Sequence, residues 1–376
     1  MAIGLSFPLR RDISVKIKFA HLRAYLPVLA FFGGFLWDAL TIGRSVAPAD
    51  LAILAGYLVA AAGILWWLGH RRHALAVEGC EGEAQATAQP ASFLSSWWER
   101  APYLLLQFLF GGLFSALFIL YFKSSSHLTA VLWSMGLGGL LVANEFIGDR
   151  YHRFTLTWIL FGLCAMLLFN FLLPFMVGSI GMVWFYLSTL AGAGLTHWLR
   201  KKTPGCPGRA APVWIIAGLL AVAYFLDLIP PVPLVKRDIQ VGRNFAHVAD
   251  EYRLTLEKAP WWVFWREVSD EVHLAPGERL YCVSSVFAPG GLSTRLYHRW
   301  EHYEPLRGWV TVSRMGFGLF GGRDGGFRGY TYKQEVAPGE WKVKVETESG
   351  RTVAVHAFSV VTGAPVDPAR ETVRGL

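Results

Sequence analysis

Two histidines in the C-terminal part are candidate metal ligands, and their spacing decides whether they could share an ion. His298 and His302 are four residues apart in a segment that alternates like a β-strand. Successive same-face positions on a strand are about 6.6–7 Å apart, so these two side chains would be separated by about 13 Å. A shared Zn²⁺ needs its ligands about 2.0–2.1 Å away. The spacing predicts no metal site. Because no nucleophile–base pair is evident either, we expect no cofactor, and the sequence leaves open whether the protein is an enzyme.

A glycine-rich loop and a nearby strand face are candidate ligand-binding elements. Arg323 and Asp324 are flanked by glycine pairs, but no strand-to-helix context makes this a phosphate loop. The loop either joins two strands through glycines with positive φ, or binds an anionic or hydroxylated ligand through Arg323 and Asp324. His298 and Trp300 share the adjacent strand face. They form either part of the binding face or a packed pair with a hydrogen-bonded imidazole.

Polar residues within the apolar part of the chain predict a second candidate site. These residues are Asp38, Arg44, Lys123, Asn170 and Asp227, and all fall toward the same ends of their predicted helices. A carboxylate facing hydrocarbon costs about 2.5–3.5 kcal/mol on insertion scales, so the two aspartates should face the bundle interior or a wet cavity. Arg44 and Lys123 could pair with them or extend to the membrane surface. We therefore expect one outer polar pocket, with Arg323 and Asp324 as a possible lid.

Two further features have several interpretations. The aromatic run Trp261–Trp265 could close a β core, lie at the membrane interface, or stack on a sugar. Cys282 lies in a predicted strand as the single cysteine of the C-terminal part, so we expect a small buried hydrophobe rather than a reactive thiol.

The composition indicates that one part of the chain lies in lipid and the other in water. Of 376 residues, 53% are hydrophobic and 16% charged, against about 25% charged in ordinary soluble domains. Charge is scarce before Leu234 and ordinary after it. The net charge of +8 comes mainly from residues 1–233, which hold 16 Lys/Arg and 10 Asp/Glu, whereas the remainder holds 19 and 17. A nucleic-acid partner is therefore not expected, because the C-terminal part lacks the basic excess.

Seven apolar stretches are long enough to cross a bilayer. They are residues 22–42, 51–68, 102–122, 128–147, 154–176, 180–198 and 211–228. The loops on the N-terminal side carry 14 Lys/Arg, and the opposite short loops carry only Arg44 and Lys123. The positive-inside bias predicts a cytoplasmic N-terminus and, after seven crossings, an extracytoplasmic C-terminal domain.

After residue 233 the hydrophobic pattern changes to that of strands. Trp341, Val343 and Val345 alternate with charged residues, and Ser349-Gly350 turns the chain into a second strand at Thr352–Val361, which gives a hairpin. Further strands are predicted at 252–256, 279–287, 294–302, 309–314 and 329–333. We predict a polytopic α-helical membrane bundle of about seven spans (1–233) and a C-terminal antiparallel β-sandwich-like domain (234–376).

Several ordered motifs resemble a bacterial family catalogued as domain of unknown function 2914. They are Val286-Phe287-Ala288-Pro289, Tyr297-His298-Arg299-Trp300, Gly321-Gly322-Arg323-Asp324-Gly325-Gly326, Tyr330-Thr331-Tyr332-Lys333 and Pro338-Gly339-Glu340-Trp341. Phe35-Leu36-Trp37-Asp38 and Ile229-Pro230-Pro231-Val232-Pro233-Leu234 resemble the membrane half of its multi-spanning members. The resemblance extends from the first span to Val361. It implies a membrane-tethered β domain and no known activity.

Together these observations predict a multi-pass protein of the bacterial inner membrane. We expect its partners to be the lipid bilayer and a cell-envelope glycan or protein recognised by the outer β domain. The alternative is a membrane enzyme or transporter that uses the outer polar pocket on a lipid-linked or small polar substrate. A sensor without its own output domain is a third interpretation.

Overall fold

The computed structural model describes most of the chain after residue 47. The described residues are 48–81, 93–125, 128–147, 154–206, 208–248, 251–263, 266–288, 293–320, 327–363 and 370–375. All of them belong to one compact unit, Arg44–Leu376. The other unit, Met1–Gly43, contains the first predicted span and lies outside the described residues.

Six α-helices form the N-terminal part of the described chain. They are α1 (Pro48–Glu81), α2 (Phe93–Ser124), α3 (Leu128–Ile147), α4 (Phe154–Val177), α5 (Met182–Lys201) and α6 (Ala211–Phe225). Each overlaps one of the predicted spans 51–68 to 211–228, although α1 and α2 extend well beyond theirs. These segments are predicted well because they are uniformly apolar and contain few helix breakers. Their two prolines, Pro102 and Pro174, lie near the ends of the predicted spans 102–122 and 154–176.

Three of these helices are long and apolar enough to cross a membrane: Pro48–Ala74, Ala101–Ser124 and Phe154–Val177. In the described residues α6 has only 15 residues and α3 has an apolar stretch only at Val131–Ala143. Helix α5 contains many Ser, Thr and Gly residues and ends in Arg200 and Lys201, which lowers its hydropathy. The described structure therefore supports three candidate spans rather than the predicted seven.

Close contact between α4 and α5 depends on a small residue. Gly192 of α5 lies so near α4 that a Cβ added there would be 2.6 Å from the Met166 backbone nitrogen. Small residues permit such approach between apolar helices. Gly194, two residues along the same helix, faces open space instead.

Ten strands form two five-stranded sheets that pack into a β sandwich. The strands are β1 (Val235–Val248), β2 (Glu251–Glu257), β3 (Glu271–Leu274), β4 (Leu280–Phe287), β5 (Ser293–Glu304), β6 (Gly308–Phe320), β7 (Phe327–Lys333), β8 (Gly339–Thr347), β9 (Thr352–Thr362) and β10 (Glu371–Gly375). The first sheet has the order β10-β2-β1-β4-β7 and the second β3-β9-β8-β5-β6. Only the β3–β9 pair is parallel among these strands.

The sandwich core follows the period-2 pattern of the sequence. Trp341, Val343 and Val345 of β8 point inward, as predicted from their alternation. Cys282 is also buried, and burial raises the pKa of its thiol. The prediction that this cysteine acts as a small hydrophobe is thus confirmed.

Strands β1, β3 and β10 were not predicted from the sequence. β1 is interrupted by a register shift between Arg243 and Ala246, and β10 reads Glu-Thr-Val-Arg-Gly. Such segments lack a clean apolar alternation, so tertiary pairing rather than local pattern makes them strands. β3 has only four residues, too few for a periodic signal.

Candidate functional site

The outer surface of the second sheet carries a dense group of charged side chains. We call six residues the charged face: Arg299 and Glu301 of β5, Arg314 of β6, and Lys342, Lys344 and Glu346 of β8. Pairing sets Glu301 opposite Lys342 and Arg299 opposite both Lys344 and Arg314. Because side chains alternate along β8, the residues between the core positions Trp341, Val343 and Val345 must point to this outer surface.

Glu301 lies at the centre of three cations. Its Oε1 is 2.8 Å from Arg299 Nε and 3.1 Å from Lys344 Nζ, and its Oε2 is 3.1 Å from Lys342 Nζ. The carboxylate is 5% exposed, so the basic side chains cover it almost completely. Burial alone would raise the pKa of Glu301, but Lys342 and Lys344 outweigh burial and hold this pKa below its ordinary value. The glutamate is therefore a fixed negative charge.

Glu346 is more deeply buried and less well satisfied. It is 1% exposed, 3.1 Å from Arg299 Nη1 and 3.6 Å from Arg314 Nε. Neither of its carboxylate oxygens accepts a well-aligned hydrogen bond within the described structure. Burial raises the pKa of Glu346, although Arg299 and Arg314 oppose the rise. The pKa values of these neighbouring carboxylates thus shift in opposite directions: two lysine ammonium groups lie 3.1 Å from Glu301, whereas Arg299 and Arg314 do not outweigh the burial of Glu346.

Aromatic rings border the charged face. Lys342 Nζ is 3.9 Å from the centroid of the Trp309 ring, and Arg314 Cζ is 3.8 Å from that of Tyr297. Trp309 also meets Tyr303 at 5.3 Å. Both Tyr303 and Trp309 are about two-fifths exposed, at 41% and 39%. Cation–π contacts hold the basic groups over the rings and leave the outer ring surfaces accessible.

The charge of this face is suited to binding anionic ligands. Its four cations against two carboxylates leave a net charge of +2. A surface with excess positive charge attracts anionic ligands, and Trp, Tyr and Arg supply much of the binding energy at protein interfaces. Sequence reasoning missed this face, although the alternation in Lys342-Val343-Lys344-Val345-Glu346 was the available signal.

The predicted binding-face residues His298 and Trp300 lie in the core instead. Both are 0% exposed. The His298 ring nitrogens Nε2 and Nδ1 are 2.7 Å from Ser284 Oγ and 2.9 Å from Thr331 Oγ1. The Trp300 indole N–H donates to the same Thr331 oxygen at 3.1 Å. This is the packed pair with a hydrogen-bonded imidazole, so the two residues offer no surface to a ligand.

Burial also determines the charge of His298. The pKa of its imidazole is lowered to about 3 by burial. Ser284 and His298 resemble a nucleophile–base pair, but Ser284 is 1% exposed and no substrate could approach its hydroxyl. We assign the network a structural role.

Asp227 lies beyond a helix rather than inside a span. α6 ends at Phe225, and Asp227 follows with φ of 57°. Its carboxylate accepts a hydrogen bond of 2.9 Å from Nη1 of Arg351, the residue before β9. The Arg351 guanidinium also lies 3.7 Å from the centroid of the Tyr224 ring. The prediction that Asp227 lies within the helical span 211–228 is therefore wrong, and Asp227 instead connects α6 to the sandwich.

A cavity of about 280 Å³ opens beside this contact. It is lined by Ile180, Gly181, Tyr224, Pro231, Thr347, Glu348, Ser349 and Arg351. Arg351 is 7% exposed on its side chain. The cavity thus combines a buried cation, a glutamate and an aromatic wall, and it lies next to the end of an apolar helix.

Two other predicted pocket residues lie within the helical part. Asn170 is buried and donates to Tyr121 Oη at 3.4 Å, while its Oδ1 accepts from Thr189 at 3.5 Å. These bonds connect α2, α4 and α5. Lys123 at the end of α2 interacts electrostatically with Asp50 at the start of α1. The structure does not place either residue in the cavity beside Arg351.

Four predicted site residues are not within the described residues. These are Asp38 and Arg44 of the pocket, and Arg323 and Asp324 of the glycine-rich loop. Over the part of the chain that is described, no three His, Cys, Asp or Glu side chains form a group that could hold a metal ion.

The aromatic run Trp261–Trp265 lies only partly within the described residues. Trp261 and Trp262 are 88% and 60% exposed, so the core interpretation is wrong for both. Phe264 and Trp265 lie outside the described residues.

Comparison with known proteins gives one family match. Residues 293–360 match the model of a family described as a protein of unknown function, DUF2914. The matched segment begins with β5 and ends within β9, so it contains the whole charged face. The resemblance expected from the first span to Val361 is thus supported only for this segment. No curated protein matches the chain.

Solved structures show only distant similarity. A β-glucosidase from Listeria innocua in complex with gluconolactone shares 11% identity at a TM-score of 0.19, over 34% of this chain and 16% of that one. An immunoglobulin-like protein from Pseudomonas aeruginosa shares 14% identity at a TM-score of 0.18, over 32% and 97%. The chain spans about a sixth of the length of the β-glucosidase. The relation to a known family rests on residues 293–360.

Proposed function

We propose that this chain is an integral protein of the bacterial inner membrane whose sandwich lies outside the cytoplasm and recognises an envelope glycan or protein. Three long apolar helices support insertion in a membrane. In the proposed topology the chain crosses seven times with its N-terminus in the cytoplasm, following the loop charges. The first of these spans would be residues 22–42.

The charged face is the observation that carries the recognition role. It combines an excess of positive charge with accessible Trp309 and Tyr303 rings. Glu301 and Glu346 hold the basic side chains in fixed positions, so less rotamer entropy is lost when a ligand binds. A preorganised cationic and aromatic platform fits an acidic glycan or an acidic protein surface.

A binding assay with the full chain in lipid nanodiscs tests this proposal. The probe is purified peptidoglycan, whose peptides carry carboxylates, and the measurement is co-sedimentation at increasing salt. We expect binding that weakens as salt rises, because screening reduces attraction between surface charges. Trp309→Ala should reduce binding several-fold, since it removes an exposed ring of the platform.

The matched control is Tyr332→Ala, which removes a similarly exposed ring (45%, against 39% for Trp309) from β7 of the first sheet, outside the charged face. The protein-partner form of the proposal is tested by a photo-reactive residue at position 309 in living cells. Absence of both peptidoglycan binding and any defined 309-dependent cross-link would contradict the recognition role.

The cavity beside Arg351 favours a second candidate function. A buried guanidinium, the Glu348 carboxylate and the Tyr224 ring could hold a small polar or lipid-linked substrate at the membrane surface. Native mass spectrometry of the purified chain tests this. A retained small molecule that Gly181→Trp excludes would support the function, and an unliganded spectrum for both proteins would contradict it.

A further inference from the structure

Two tryptophans are displayed at the tip of a hairpin that joins β2 to β3. Trp261 is 88% exposed and Trp262 60%, and their rings meet edge to face at 5.8 Å. The Val263 N–H donates to the Pro260 carbonyl at 2.9 Å and closes the turn that presents both rings. Adjoining apolar side chains at a surface mark an interaction site.

The strand order directs this hairpin toward the helices. β1 begins at Val235, ten residues after α6 ends at Phe225, so the Val235 end of the sandwich is the membrane-side end. β2 runs antiparallel to β1, with Thr255 opposite Arg243. A bridge between Lys258 and Val268 extends β2 into the hairpin. The tryptophan tip therefore points back toward the membrane.

An ion pair relates the hairpin to the membrane-side end of β1. Trp261 lines one cavity with Arg374, and Arg374 Nη2 lies 3.8 Å from Asp238 Oδ2. Asp238 is three residues, or about 10 Å of strand, from Val235. Together with the direction of β2, this contact places the tryptophan tip on the membrane side of the sandwich.

Charges around the hairpin are balanced. Arg266 is paired with Asp270, and Arg374 lies 3.8 Å from Asp238. Because its charges are balanced, this surface should not attract anionic lipid electrostatically. Tryptophan itself prefers the membrane–water interface, where the ring is sheltered and its N–H can still be hydrogen-bonded.

We propose that Trp261 and Trp262 insert into the interfacial layer of the bilayer and hold the sandwich against the membrane. The occupant of this surface is lipid, and insertion does not require anionic headgroups. The proposal rests on the proposed function in one respect, since it requires helices that span the bilayer.

A depth measurement on the full chain in nanodiscs tests the proposal. Single cysteines carrying a nitrobenzoxadiazole label are placed at Trp261 (W261C), at Leu219 of α6 (L219C), which is 61% exposed, and at Trp309 (W309C), each with Cys80→Ser. The described cysteines Cys164, Cys206 and Cys282 are buried and should not react. The readout is quenching by lipids that carry a nitroxide on the headgroup or on the acyl chain.

We expect headgroup nitroxides to quench the label at position 261 several-fold more than the label at 309. Trp309 lies at the opposite end of the sandwich, since β5 begins near the β8–β9 turn that contacts Asp227 and runs away from it. Quenching at 261 should be equal in zwitterionic and anionic nanodiscs.

Equal, weak quenching at 261 and 309, with strong quenching at 219, would overturn the hairpin proposal and leave the spanning helices intact. Weak quenching at 219 as well would overturn the proposed function itself. If the 261 label stays shielded in detergent and is not quenched by nitroxide lipids, it contacts protein. That result would also overturn the proposal.

Discussion

The buried imidazole of His298 makes the folded sandwich sensitive to acid. Its folded pKa of about 3 lies below the ordinary value of 6.5, so between these values the unfolded chain binds one more proton. Stability is complete above pH 6.5 and declines as the pH falls toward 3. For this group alone the loss between pH 7 and pH 4 is about 3 kcal/mol. The melting temperature of the purified chain against pH measures it.

A non-titrating variant isolates this contribution from the carboxylates that also titrate. His298→Asn should lower stability at neutral pH, because the smaller amide cannot bridge Ser284 and Thr331 equally well. It should also flatten the decline below pH 6.5. A variant whose pH profile runs parallel to that of the parent protein would contradict the assignment. His356, whose pKa burial lowers to about 4, should account for part of the remaining slope.

Sequence reasoning identified chemically capable residues but not their surroundings. For His298 and Trp300 the sequence allows two interpretations, a binding face or a packed pair, and the structure shows the packed pair. Which sheet face points inward depends on the partner sheet, and that information is not local. The charged face was missed for the same reason, since its six residues come from three strands. Asp227 was placed inside a helix because hydropathy continues past Phe225, where the chain turns.

Among the helices, the contact between α4 and α5 gives a direct prediction. Gly192→Leu should separate the two helices, because even a Cβ would lie 2.6 Å from the Met166 nitrogen. We expect a large loss of monodisperse protein in size-exclusion chromatography. Gly194→Leu, on the open side of the same helix, should behave like the parent protein. Equal losses in the two variants would show that this packing is not what restricts the position.

The contact between α6 and the sandwich can be measured by a double-mutant cycle. Arg351→Ala removes both the ion pair with Asp227 and the guanidinium over Tyr224, so it should destabilise more than Asp227→Asn. Asp227 is 43% exposed, and a coupling of about 1 kcal/mol or less is expected for such a pair. Thermal unfolding of the two single variants and the double variant gives this value. Strict additivity would mean that the ion pair does not couple the two parts.

Elements with a strong internal period were predicted well. Helices α1 to α6 and strands β2, β4, β5, β7, β8 and β9 follow from apolar runs and from alternation, and β6 was predicted only in its first half. Strands β1, β3 and β10 could not be predicted, because their residues become strands only through pairing with β2, β4 and β9.

At the scale of the whole molecule, sequence hydropathy predicts more membrane spans than the described helices support. Seven stretches satisfy a composition criterion, whereas three described helices satisfy both length and composition. The difference arises because helices also end where the chain turns, as α6 does at Phe225, and because polar residues such as Arg200 and Lys201 occupy helix ends. The proposed crossings therefore need a direct test of sidedness.

Labelling of single cysteines in intact spheroplasts tests the central claim most directly. Leu306 lies in the turn between β5 and β6 and is 99% exposed, so Leu306→Cys presents a reactive thiol on the sandwich. We predict that a membrane-impermeant maleimide labels position 306 in intact spheroplasts. Native Cys80, at the proposed cytoplasmic end of α1, should react only after detergent is added. Labelling of position 306 only after permeabilisation, with Cys80 reacting before it, would contradict an extracytoplasmic sandwich.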